Sequence, residues 1–149
     1  MGWTVLIRRA DRASLGSLDA LRPMFLARLP GIAFYREPSG PEKLAATRIT
    51  FPEVIRKHLE GAPAEVRADF VSQDLHLRFH FGPVDQDHID CVAVEVRGGV
   101  NPAPFLQALC APDGWIAEEP DGARLDLAAH AVEPSREAGD PGDARARAD

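Results

Sequence analysis

Residues 74–97 read D-L-H-L-R-F-H-F-G-P-V-D-Q-D-H-I-D-C-V-A-V-E-V-R. In the first eight, Leu75, Leu77, Phe79 and Phe81 alternate with Asp74, His76, Arg78 and His80. A strict period of two places the apolar set on one side of an extended chain and the polar set on the other. In the last nine, Val92, Val94 and Val96 share one side, and Cys91, Ala93, Glu95 and Arg97 the other. The second run is the more apolar, as suits an interior strand. Gly82 to His88 carries Gly, Pro and Asp between the two runs and forms the turn. The stretch is expected to be an antiparallel hairpin at the centre of a sheet with one buried and one polar face.

The flanks supply further elements. Trp3–Arg8 reads as a first strand. Leu18, Leu21, Phe25 and Leu29 form a helical stripe over 17–29, with Pro23 expected to kink the helix or mark a restart. Residues 32–48, punctuated by Pro38, Gly40 and Pro41, read as loop. Thr50 with Glu53 has the spacing of a capping box. It opens a helix whose core face would be Val54, Ile55, His58 and Leu59, making His58 a partly buried imidazole. Gly98-Gly99 ends the hairpin. Asn101-Pro102 starts a helix with Phe105, Leu106, Leu109 and Cys110 inward. Trp115–Glu118 and Arg124–Ala128 flank the turn P-D-G and read as a small hairpin. Beyond Glu133 no residue is both apolar and larger than alanine, so 133–149 reads as a disordered tail after a single domain over 1–132. The expected class is α+β: an antiparallel sheet of four or five strands with two or three helices. Its order would be β-α-β-β-α-β, ferredoxin-like, with an inserted N-terminal helix.

Composition narrows the function classes. The chain has 149 residues, 45% hydrophobic and 27% charged, ordinary for one globular domain. Its net charge of −6 argues against a nucleic-acid ligand. The charge is uneven. Residues 1–60 hold ten Lys and Arg against six Asp and Glu; residues 61–149 hold seven against seventeen. Such a −10 half suits a basic partner. No apolar run is long enough for a membrane span of about 20 residues. The opening M-G-W-T-V-L-I-R-R has its charges after the apolar stretch, the reverse of an export signal. Cys91 and Cys110 both fall in apolar segments and read as buried, reduced thiols of a cytoplasmic protein.

The chemistry-bearing residues form no strong motif. His76 and His80, four apart on a strand, stand roughly 13 Å apart and cannot share an ion. Neither H-E-x-x-H nor C-x-x-C occurs, and no metal or cofactor is expected. G-x-S-x-G is absent, and apolar surroundings raise rather than lower a thiol pKa. Glu118-Glu119 beside a turn reads as solvated, and R-G-G-V-N-P ahead of a helix is accounted for by the cap and the sharp turn. The remaining constellation is the polar side of the hairpin: His76, Arg78, His80, Glu95 and Arg97, rimmed by Asp85, Asp87 and Asp90. Arg and His are apt for a protein-binding face; cross-strand charge pairing within the sheet explains the same pattern.

Met1, Trp3 and Ile7 open the chain; Val94, Val96, Arg97, Gly98 and Gly99 end a strand; Pro102, Leu109, Cys110, Gly114 and Trp115 mark the next helix and its exit. In these residues, and loosely in Asp121-Gly122 and Leu125-Asp126, the chain resembles a group of small, uncharacterised bacterial proteins. The resemblance covers roughly residues 1–8 and 50–127; 17–48 departs from it and reads as an insertion. It implies a bacterial cytoplasmic protein of this fold and carries over no activity or site residue. Small acidic proteins of this style resemble immunity proteins. The leading expectation is therefore a non-catalytic inhibitor that neutralises a basic toxin domain through an acidic surface. A small ligand-binding domain or enzyme using His76, Arg78 and His80, and a structural homodimer subunit, are the alternatives.

Overall fold

In the computed structural model, which describes residues 3–128, the 74–97 stretch is the anticipated hairpin. Its strands are Leu75–Pro83 and Cys91–Arg97. Leu77 lies opposite Val96 and Phe79 opposite Val94, so the apolar sets share a face. Numbered in chain order these strands are β4 and β5. The others are β1 (Trp3–Arg8), β2 (Ala33–Glu37), β3 (Glu65–Ser72), β6 (Ile116–Glu118) and β7 (Arg124–Leu125). The helices are α1 (Leu18–Arg28), α2 (Gly40–Ala46), α3 (Glu53–Glu60) and α4 (Ala103–Cys110), followed by a short 3-10 turn. All seven strands join one sheet in the order β2-β3-β4-β5-β1-β6-β7, each pair antiparallel.

The chain is thus α+β, but larger than the four or five strands and two or three helices expected. The ferredoxin-like order is not matched as it stands. The strands counted in that expectation sit side by side as β4-β5-β1-β6, inside a sheet that β2 and β3 extend on one edge and β7 on the other. The helix expected to cross over the sheet ahead of β4 does not do so. α2 and α3 instead form a helical hairpin between β2 and β3.

One face of the sheet holds the core. Val5, Ile7, Ala68, Phe70, Leu75, Leu77, Phe79, Phe81, Val92, Val94 and Val96 are buried there. α1 covers them with Leu21, Phe25 and Leu29, and α4 with Leu106, Leu109 and Cys110. Phe25 is the hub: its ring lies 5.5 Å from Phe79, 5.1 Å from Phe81 and 6.2 Å from Trp115. α1 runs unbroken through Pro23 and is capped by Ser17, whose hydroxyl accepts from Ala20 N.

Several expectations need correction. The capping box belongs to Ser39 and Glu42, at the start of a helix in the segment read as loop. Pro52 follows Phe51 and biases it to extended backbone, so a helix cannot begin directly after Thr50; α3 begins at Glu53 with no side-chain cap. α3 has no buried residue. Val54, Ile55, His58 and Leu59 therefore are not a core face, and His58 is exposed. Cys110 is buried as expected, but Cys91 is exposed, because it faces away from the helices. The tail expected over 133–149 lies outside the described residues.

Candidate functional site

The second face of the sheet is covered by neither α1 nor α4. Register builds it in rungs. Asp69, Arg78, Glu95 and Thr4 lie opposite one another across β3, β4, β5 and β1. Arg67, His80, Ala93, Leu6 and Glu118 form the neighbouring rung, and Val71, His76 and Arg97 the one beyond. Of the residues singled out in the sequence, His76, Arg78, His80, Glu95 and Arg97 are brought together here. All but Arg97 are about one-quarter to one-third exposed.

The charges on this face cancel pair by pair. Arg78 Nε donates to Asp69 Oδ1 at 3.0 Å. Arg97 Nη2 donates to Glu95 Oε1 at 2.9 Å, and His80 Nε2 stands 2.6 Å from Glu95 Oε2. Arg8 grips Glu118 with two bonds of 2.8 and 3.1 Å, and Arg67 Nη2 donates to Glu65 at 3.3 Å. Four arginines thus answer four carboxylates. His76 Nε2 lies 3.3 Å from Asp69 Oδ1 without the alignment of a hydrogen bond, and has no other such partner among the described residues. Partial burial pushes the Asp69 and Glu95 carboxyls up. Arg78 and His76 outweigh it for Asp69, and His80 and Arg97 for Glu95, so both end below the usual range. Bonds to charged groups favour the ionised form.

Asp85, Asp87 and Asp90 are apart from this lattice. They lie in the β4–β5 loop at its end, all exposed, and none makes an ion pair among the described residues. Asp90 lines a shallow depression of about 450 Å³ with Glu65, His80, Gln86, His88 and Cys91. Gln86 closes the loop by donating to Phe81 O at 2.6 Å. Among the described residues no three His, Cys, Asp or Glu side chains are placed to hold one metal ion, and no helix is long and apolar enough to cross a membrane.

Neither thiol is arranged as a nucleophile. Burial pushes Cys110 up to about 12. Cys91 is also raised, by loss of hydration first and by Glu118 next.

Sequence reasoning missed half of the lattice: Glu65, Arg67, Asp69, Arg8 and Glu118. The first three lie on β3, where Glu65-Val-Arg-Ala-Asp-Phe70 alternates as cleanly as β4 and carried the signal. Comparison with protein-family models, with curated proteins and with solved structures finds no match for this chain.

Proposed function

We propose that the chain is a non-catalytic binding protein of the immunity type, docking a basic protein domain on the uncovered sheet face and the acidic β4–β5 loop. One observation carries this reading: charge on the face is neutralised internally, whereas the three loop carboxylates at its end have no ion pair among the described residues. A pre-paired lattice gives a partner register and hydrogen-bonding specificity, and unpaired carboxylates give long-range attraction. The size of the face supports including the loop. Five strands at about 4.8 Å spacing and six residues of length give a flat area of roughly 20 by 20 Å. That is about half of the ~800 Å² each partner contributes to a standard interface.

The test immobilises the wild type and a D85N/D87N/D90N variant and exposes both to lysate of the source organism. The reading requires one stoichiometric protein held by the wild type, released by salt, and not held by the variant. No partner, or one indifferent to both salt and the substitutions, overturns it.

A second reading rests on the depression beside His80 and His88, whose volume falls within the range of small-molecule sites. A thermal-shift series with small anions and divalent metals addresses it, since a ligand in hundredfold excess over its Kd stabilises by about 2.7 kcal/mol.

A further inference from the structure

The depression at the end of the uncovered face is built by the backbone. Between β3 and β4 the register slips at Val66 and Arg67, so that Phe81 has no partner across the pair. Gly82 follows with φ at +98°. A bulge of this kind bends its strand and re-aims the side chains beside it. Three small residues, Gly82, Cys91 and Ala93, line the hollow of about 450 Å³ and do not fill it. Its polar walls are His80, His88 and Gln86, with the carboxylates of Glu65 and Asp90.

Charge selects what fits. Among the described residues neither Lys nor Arg lines the depression. The arginines of the adjoining strands are committed: Arg67 lies 3.3 Å from Glu65 and 3.6 Å from Glu37, and Arg8 lies 2.8 Å from Glu118. Asp90 has no ion pair among the described residues. The field at the floor follows. The Cys91 thiol is raised by burial first and then by Glu118, which outweighs Arg8, and Asp90 adds to the same effect. An anion is repelled here and a cation attracted.

Hydrogen bonding selects the cation. Arg67 uses Glu65 Oε1, and Gln86 donates its Nε2 to Phe81 O at 2.6 Å. Glu65 Oε2, Gln86 Oε1 and the Asp90 carboxylate are left as acceptors among the described residues. A planar guanidinium carries five donors in a fixed fork and stacks on flat rings such as the imidazoles of His80 and His88. An ammonium is a point charge that holds its water more tightly.

We infer that the depression receives the guanidinium of an arginine side chain presented by the basic partner, held by Asp90 and Glu65. This rests on the reading of the face and loop as a docking surface, and it names the anchor of that surface. Arginine seated in a pocket is among the few contacts that carry most of an interface's energy. Such an anchor suits a face smaller than a standard interface.

Amide NMR of the full chain, with N-acetyl-arginine amide as the probe, tests the inference without the partner. The probe should shift Gly82, Gln86, His88 and Ala93 saturably, with a dissociation constant in the millimolar range usual for so small a ligand. The matching lysine probe should bind more weakly, and the glutamate probe should leave these signals in place. Asp90→Asn should weaken the arginine probe about tenfold or more, by the loss of a charged acceptor. Ala93→Leu should fill the hollow and abolish binding, with signals from α1 and α4 unmoved. No saturable shift from the arginine probe overturns the inference. So does lysine or glutamate binding as tightly, or a probe that both variants still hold. Free arginine should bind no more tightly than the capped form; markedly tighter binding would make the depression a site for the amino acid itself and overturn the assignment to a partner's side chain. Capture of a partner by a chain that ignores the probe sinks this inference and leaves the docking reading standing, whereas a bound probe with no partner captured does the opposite.

Discussion

The backbone carbonyl of Asp74 fills the place a Cβ on Gly98 would take. The turn into β4 and the exit from β5 therefore meet backbone to backbone, and Gly98 also holds φ at +106°, where other residues are strained. Gly99 next to it has no heavy atom within 4 Å of a built Cβ, and its φ is not in the left-handed range. Gly98→Ala should cost about 3 kcal/mol or more, from strain and a backbone displacement together. Gly99→Ala should stay within about 1 kcal/mol of the wild type. Urea denaturation of both variants decides; equal effects would mean that the R-G-G turn is not held by this approach.

Phe25 should be the costliest single truncation in α1. Its ring meets rings from β4 and from Trp115 and is fully buried. Phe25→Ala should lose about 3–5 kcal/mol, the range for a cavity of that size. Leu26, one residue on and 45% exposed, should lose under about 1 kcal/mol on the same change. Comparing their chemical denaturation midpoints checks that α1, through Pro23, keeps one continuous face on the sheet.

What the sequence disclosed follows a physical line. The 74–97 hairpin was legible because one face is buried and the other solvated, so the period of two is written in residue type. β3 carries the same alternation but begins straight after a Gly-Ala-Pro-Ala stretch that reads as loop. β2, an edge strand of five residues, has only Phe34 and Tyr35 to signal it. α2 was hidden because Gly40 and Pro41, which usually break helices, open this one: Pro fits a first turn, and Gly is demanded by the contact with Leu59. α3 carries a helical stripe that reads as a core face from sequence, since periodicity tells which residues share a side but not what lies against it. Within the ion-pair lattice, Arg67 with Glu65 and Arg97 with Glu95 are two residues apart on one strand, whereas Arg8 with Glu118 depends on a register between distant strands that no local pattern encodes.

Acid should act late on the capping box. Glu42 is held down to about 2 from an ordinary 4.5, by Arg36 first and then by the Ser39 amide and hydroxyl. A carboxyl whose folded pKa is depressed stabilises the fold above its unfolded pKa, and that contribution is lost as the pH falls through the folded value. The loss should therefore run from about pH 4.5 down to about pH 2. A carboxyl-detected NMR titration should find Glu42 still ionised at pH 3.5, a value between those two limits. In Arg36→Ala the midpoint should move up toward the ordinary value. An unchanged midpoint in that variant would remove Arg36 as the main cause.

The two thiols should separate cleanly in reactivity. Cys110 is buried and raised to about 12, so it should resist alkylation until the chain unfolds. Cys91 faces solvent on the uncovered side, but its thiol is raised by desolvation and by Glu118, with Arg8 pulling the other way. The thiolate is the reacting species. Iodoacetamide should thus modify one site per native chain, more slowly than a free cysteine, and Cys91→Ser should leave none. Glu118→Gln should speed the reaction, because it removes a negative neighbour and releases Arg8 to favour the thiolate. Mass spectrometry over time reads all three. Two sites modified at equal rates in the native chain would place α4 away from the sheet, and a Glu118→Gln variant no faster than the wild type would remove the electrostatic link between β5 and β6.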